Sequence, residues 1–177
     1  MNSLSNRQGS KTAQRTGGTA RGAVAQHVRR MSAEKLDGVF AAVGQGLRDG
    51  MSREAERLLL KTIEGYTHPP DIFAHLKRLL SFTLETLGRY KESLDVLSPF
   101  EDEGTLSLLE PATQIHVTTQ LAIGYSNLSD QPKAVTLLKE THKKAQESEL
   151  ARLSGPIYVA LSRVYRKLNE YPIARDY

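Results

Sequence analysis

From Ser32 onward, apolar residues recur every three or four positions, the period of a helix lying on a core. In "SAEKLDGVFAAVGQGLRD" the residues Leu36, Val39, Phe40, Val43 and Leu47 share one face, and Ser32 stands where an N-cap belongs. Gly50 ends this run. "SREAERLLLKTIEGY" repeats the period through Ala55, Leu58, Leu59, Thr62 and Ile63, and Gly65 with Pro69 and Pro70 closes it. Proline is tolerated in the first helical turn, where its missing N–H has no partner to lose, so Pro70 can open a third helix. That helix, "DIFAHLKRLLSFTLETL", faces inward through Phe73, Leu76, Leu79, Leu80, Leu84 and Leu87. Gly88 bends the chain into a short fourth helix, "YKESLDVLSPF", which Pro99 stops.

"EDEGTLSLLE" reads as an acidic connector, and Pro111 then opens a fifth helix, "ATQIHVTTQLAIGYSNL", packing through Ile115, Leu121, Ala122 and Tyr125. "SDQP" turns the chain, and Pro132 opens a sixth helix with Ala134, Val135, Leu137, Leu138 and Ala145 inward. "SGP" at 154–156 breaks it. "IYVALSRVYRKL" is a seventh helix and "PIARDY" begins an eighth. No segment alternates with period two for long enough to be a strand. The pattern predicts an all-α chain of helix pairs joined by short turns.

The pairs resemble one another. "GLRDGMSREAERLLL", "TLGRYKESLDVL", "NLSDQPKAVTLL" and "KLNEYPIARDY" share an order: a leucine, a small or polar turn pair, a small residue, then an apolar stripe. The small residues are Ala55, Ser93, Ala134 and Ala174, spaced by 38, 41 and 40. Antiparallel helices approach to ~8–10 Å only where small side chains meet. One pair cannot bury its apolar face, whereas stacked pairs bury a continuous core.

On these residues the chain resembles the tetratricopeptide repeat family. The first-helix signature of a leucine, a small residue and a tyrosine is matched by Leu121, Ala122 and Tyr125, and by Leu161, Ser162 and Tyr165. The second pair keeps Leu80, Ser81 and Leu84; in the first, Ala42, Val43 and Gly46 replace the signature. The closing proline of the family is absent, and the period exceeds the usual length of about 34 residues. The resemblance implies a right-handed superhelical solenoid over residues 32–177, with units at 32–68, 69–109, 110–152 and a shortened 153–177. A last unit that stops early in its second helix lacks a polar cap, so the chain is expected to belong to something longer.

Charge separates the body from its N-terminal end. Residues 1–33 hold Arg7, Lys11, Arg15, Arg21, Arg29 and Arg30 with no acid, +6, while the remainder has 18 basic against 20 acidic residues, −2, giving the net +4. Residues 1–31 have too few large apolar side chains to offset ordering and read as a disordered basic tail. Its arginines could meet nucleic acid or acidic lipid, although it has no aromatic residue for base stacking. It also has the composition of a mitochondrial transit segment, and "RRMS" at 29–32 fits a basophilic kinase. The bland reading is a solvated leader. No apolar run reaches the ~20 residues of a membrane span, and a cytoplasmic location is expected.

Candidate chemistry is sparse. Without cysteine there is no disulfide, thiolate metal site or cysteine nucleophile. No Ser-His-Asp or paired-carboxylate arrangement can be argued, so no catalytic residue and no cofactor is assigned. "GQGLRDG" at 44–50 lacks dinucleotide spacing and a preceding strand. His75 and His116 occupy the same place in adjacent pairs, but a metal would need further acids, and only Asp71 and Glu85 are near. His27, His68 and His142 have no partner at useful spacing. "EDE" at 101–103 is not interleaved as a calcium loop requires.

The resemblance implies peptide binding on the inner wall made by the first helices. The positions that face it are His75, Arg78, Phe82, Glu85 and Thr86, then His116, Thr119, Ile123, Ser126 and Asn127, then Val159, Arg163, Arg166 and Lys167. The Lys/Asn set of chaperone-tail carboxylate clamps is absent. Arg78, Arg163, Arg166 and Lys167 suit an acidic peptide through charge-assisted hydrogen bonds. The expected function is a non-catalytic protein- or peptide-binding scaffold or adaptor, such as the sensor part of a longer signalling or transcription-regulatory protein. The alternatives are the regulatory half of an enzyme whose catalytic domain lies beyond residue 177, and a nucleic-acid adaptor using the basic tail.

Overall fold

The computed structural model describes residues 29–177, and among them the chain is helical with no strand. Ser32 caps α1 (Ala33–Arg48), its Oγ accepting from Lys35 N at 3.4 Å. α2 (Ser52–Gly65), α3 (Pro70–Thr86) and α4 (Tyr90–Leu97) follow, then a 3-10 turn at Ser98–Glu101 and α5 (Glu103–Ser107). α6 (Pro111–Asn127), α7 (Gln131–Glu147), a 3-10 turn at Ala151–Leu153, α8 (Ser154–Lys167) and α9 (Tyr171–Asp176) complete the described chain. Pro70 and Pro111 each occupy the first position of a helix, as their lack of an N–H permits.

Five of the links between helices have the same geometry. Gly50, Gly88, Ser129, Glu149 and Asn169 take left-handed φ values of 75°, 74°, 68°, 57° and 63°. The next residues, Met51, Arg89, Asp130, Leu150 and Glu170, then donate their N–H groups to the carbonyls of Gly46, Leu84, Tyr125, Ala145 and Tyr165 at 2.7–2.9 Å. This closes the preceding helix as a Schellman turn, satisfying carbonyls the helix leaves orphaned. Two glycines meet the positive φ without steric penalty, and a serine, a glutamate and an asparagine take the other three places. Five residues beyond each left-handed position sit Ala55, Ser93, Ala134, Ser154 and Ala174, all buried.

Two stretches differ from the sequence reading. "EDEGTLSLLE" is folded rather than a plain connector: Asp102 caps α5 by accepting from Thr105 N at 2.7 Å, and Phe100 and Leu109 are buried on either side. "SGP" does not break a helix but begins one, since Ser154, Gly155 and Pro156 form the first turn of α8. The break falls earlier, at Glu149 with φ 57°. Proline in a first turn removes no intrahelical bond, so Pro156 is as compatible with a start as with a stop.

α1 packs on α2, α2 on α3, α3 on α4, α6 on α7, α7 on α8 and α8 on α9, and in addition α3 packs on α6, α4 on α6 and α6 on α8. One core cluster joins α1, α2 and α3 through Val39, Val43, Leu59, Leu76 and Leu80. A second joins α3, α4 and α6 through Ala74, Leu97, Phe100, Val117 and Leu121. The third spans α6 to α9 and includes Ile115, Leu138, Ile157, Leu161 and Ala174. α6 is enclosed on nearly every side, burying Gln114, Thr119, Gln120 and Ser126 as well as its apolar residues. Phe73, expected inward, is 37% exposed; Ala74 is buried in its place, and Lys77 Nζ lies 5.4 Å from the Phe73 ring.

At the N-terminal edge Thr67 N donates to Arg29 O at 3.0 Å, and Met31 packs on the first cluster. These three residues, 29–31, were part of the segment read as a disordered tail. The rest of it, with the readings of a transit segment or a nucleic-acid arm and with His27, lies outside the described residues.

Candidate functional site

The wall positions come from α3, α6 and α8, which touch as α3–α6 and α6–α8. Toward the C-terminal ends of these helices Glu85, Ile123, Asn127, Arg163 and Lys167 line one small cleft of about 130 Å³ together with Ser126, Ala160 and Val164. A larger cleft of about 490 Å³ lies elsewhere, between Arg30, Met31, Leu36 and the Thr67–Pro69 link, and contains none of the wall residues.

Glu85 is the electrostatic centre of the small cleft. Gln120 Nε2 donates to its carboxylate at 2.9 Å and Ser93 Oγ at 3.3 Å, with Ser93 in turn bonded to Ser81 Oγ at 2.9 Å. Burial pushes the Glu85 carboxyl up to about 7, against the pull of these hydrogen bonds and of the Lys167 and Arg163 charges. Lys167 is held by the end of α6, donating to Ser126 O at 3.0 Å and to Asn127 Oδ1 at 3.1 Å. A cation at a helix C-terminus satisfies free carbonyls and complements the helix dipole.

Two turns earlier on α3 a second group assembles. Arg78 Nη2 is 3.5 Å from His75 Nδ1, a contact at the limit of a hydrogen bond. Arg78 Nε is buried and has no hydrogen-bond partner. The Phe40 ring of α1 meets His75 edge-on, with centroids 4.8 Å apart. Burial is the main cause that lowers His75, to about 4, followed by the charges of Arg78 and of His116 on α6. His116 is lowered for the same reasons, burial first and then Arg78. Burial also lowers Arg78 itself. Asp71, weighed as an acid near the two histidines, is occupied by the N–H of Glu110 at 2.9 Å.

The remaining wall positions separate. Thr119 is buried with its hydroxyl donating to Ile115 O at 2.7 Å, so it offers no polar group outward. Phe82 and Val159 are exposed at 43% and 52%, apolar surface beside polar neighbours. Arg163 and Arg166 are exposed, and Arg166 lies outside the small cleft. Gln120, Ser93 and Phe40, which set the surroundings of Glu85 and His75, were not among the sequence candidates. A polar residue inside an otherwise buried run, such as Gln120 before Leu121 and Ala122, is the signal that could have found the first.

Other histidines have structural partners. His142 is 3.3 Å from Ser154 Oγ and 3.2 Å from Tyr158 OH, tying α7 to α8, and His68 Nε2 is 3.0 Å from Thr62 O. Gly46 sits against Ala55 and Gly50 closes α1, which accounts for two of the three glycines of "GQGLRDG" by packing and turn geometry. Among the described residues no helix is long and apolar enough to cross a membrane. No model of a protein family, no curated protein and no solved structure matches this chain.

Proposed function

We propose that the protein is a non-catalytic scaffold that binds a peptide or protein segment along the face made by α3, α6 and α8. The observation that carries this reading is the state of the charges on that face. Arg78, His75 and His116 are partly buried, and none belongs to an ion pair among the described residues. Desolvating ionisable groups without counter-charges destabilises a fold, so groups held this way point to a ligand that completes them. Exposed Phe82, one turn from Arg78 on α3, and exposed Val159 on α8 supply apolar surface of the kind a bound segment covers.

The turns at Gly50, Gly88, Ser129 and Asn169, each joining two antiparallel helices and followed at the same distance by a buried small residue, support a tetratricopeptide-like array in which α1–α2, α3–α4, α6–α7 and α8–α9 are the units. In that reading the packing of α3 on α6 and of α6 on α8 is the inner layer of a solenoid, and the proposed face is its wall. A place in a longer signalling or regulatory protein accords with such a scaffold.

The test is selection of random twelve-residue peptides displayed on phage against the full chain. Recovered peptides should bind the unmodified protein and lose at least tenfold in affinity for a Phe82→Glu, Arg163→Glu double variant. Both sites are exposed, so the variant keeps its fold, verifiable by circular dichroism. Peptides that bind this variant unchanged would place the binding surface elsewhere.

A further inference from the structure

The charges on the proposed face are not equivalent, and the difference selects one place for an anion. Lys167 is already engaged by Ser126 O and Asn127 Oδ1. Arg163 and Arg166 are exposed and well hydrated. Arg78 is neither: it is partly buried, its Nε has no hydrogen-bond partner, and its one side-chain hydrogen bond is the 3.5 Å approach to His75 Nδ1. The acids within reach along α3 are both committed, Asp71 to the Glu110 N–H and Glu85 to Gln120 and Ser93. A guanidinium presents five donors in a planar fork, and here most of them are unused.

We propose that Arg78, His75 and His116 form an oxyanion subsite that receives a carboxylate or phosphate carried by the bound peptide. This rests on the peptide-binding reading and assigns the anchor within it. The guanidinium supplies the permanent charge and a bidentate fork for two oxygens. His75, whose Nδ1 accepts from Arg78, keeps Nε2–H as a donor, and His116 on the neighbouring helix lies close enough for its charge to act on His75. A guanidinium beside an imidazole repels a cation, so this group disfavours a metal and favours an anion.

The subsite also couples binding to protons. The groups that act on His75 are Arg78 on its own helix and His116 on α6, while α1 meets it with the uncharged Phe40 ring. The charge that acts on His116 is Arg78. Arg78 is the standing positive charge among them, and both imidazoles, lowered below the ordinary value, are mainly neutral at pH 7. An anion reverses the local sign and raises both, so binding takes up protons and tightens as pH falls.

Sulfate is the probe, because it keeps its double charge from pH 5 to 8. The imidazole proton resonances of the five histidines, assigned with single His→Gln variants, are followed by NMR at constant ionic strength set with chloride. Sulfate should shift His75 and His116, and not His142 or His68. Affinity at pH 5.5 should exceed that at pH 8 by about threefold. Arg78→Met should weaken sulfate at least tenfold, Arg78→Lys less, and Arg163→Gln with Arg166→Gln less than twofold. Acetate and phosphate run in parallel distinguish a carboxylate from a phosphoryl preference.

If Arg78→Met is poorly folded, Arg78→Lys and the wild-type pH dependence still decide. Unshifted His75 and His116 resonances in folded wild-type protein would overturn the proposal. So would selected peptides whose binding ignores Arg78→Lys and Arg78→Met, an outcome that leaves the scaffold reading standing. Sulfate bound at Arg78 with no peptide recovered by selection would support the subsite and remove the scaffold.

Discussion

Arg78 and Arg89 are the same side chain in two opposite circumstances. Arg89, just past the end of α3, is fully answered: Nη1 meets Glu56 at 2.5 Å, and Nε and Nη2 hold both oxygens of Glu92 at 2.7 and 2.5 Å. It fastens α2 to the start of α4 through acids at both helices. Arg78, three turns back, is more enclosed, yet it has one marginal contact and an orphaned Nε. Stability alone would place the acids around the more buried arginine, because that is where an unanswered charge is most unfavourable. The chain does the reverse. On the proposed reading, a charged joint and a charged socket are told apart by their partners and not by burial or residue type.

A purely structural lesion sets the upper end of the scale against which this contrast is measured. Gly124 on α6 lies so close to α4 that an added Cβ would stand 3.2 Å from Leu94 Cδ1 and 3.9 Å from Leu94 Cα. Gly124→Val should therefore force the two helices apart and destabilise by about 3 kcal/mol. Urea denaturation reads it as a lower midpoint at unchanged slope. It should depress peptide binding only in proportion to the unfolded fraction. A large loss of binding in protein that remains folded would mean that α4–α6 packing shapes the wall directly.

Glu85 tests whether the wall as a whole is tuned away from stability. Its folded value of about 7 lies above the unfolded 4.5, so holding its proton stabilises the fold. That contribution is complete below pH 4.5 and is lost as pH rises through 7. Glu85→Gln is permanently neutral and keeps it. The variant should match the wild type at pH 4.5 and exceed it by about 2 kcal/mol at pH 8, on the scale of the shift. Equal stability differences at both pH values would show that Glu85 is answered in the fold, and the wall would then hold one unanswered charge rather than two.

Much of this architecture is legible in the sequence, and the exceptions share a cause. The 3.6 period, with Gly50, Gly88, Pro70 and Pro111 as punctuation, locates helices that are apolar on one face. It does less well where a helix is enclosed on all sides. α6 buries Gln114, Thr119 and Gln120 along with its leucine and isoleucine, so Thr119 looks like a wall residue and is a core residue. Phe73 and Ala74 exchange roles because α3 serves two clusters, and a single stripe cannot describe two faces. The site was half legible. His75, Arg78 and Glu85 share a face by spacing, which periodicity reads. What perturbs them arrives from far along the chain: Gln120 is 35 residues from Glu85, and Phe40 comes from α1. Spacing reports what lies on a face, and only packing reports what stands opposite it.

The smallest expected effect is also the most direct test of the contrast between the two arginines. Arg78→Met removes a desolvated charge and leaves a flexible apolar side chain beside Phe40 and His75. No acid loses a partner. Stability should rise by about 1 kcal/mol, seen as a melting temperature higher by about 2–4 °C. His75 should at the same time titrate higher, because one of the charges holding it neutral is gone. Arg89→Met should move the melting temperature the other way, since Glu56, only 16% exposed at its side chain, is left without its cation. Were both variants to lose stability alike, Arg78 would be a joint as Arg89 is, and the fold would be using its charge after all. Opposite signs from one substitution at two positions three turns apart would instead locate the arginine that is held ready for something outside the fold.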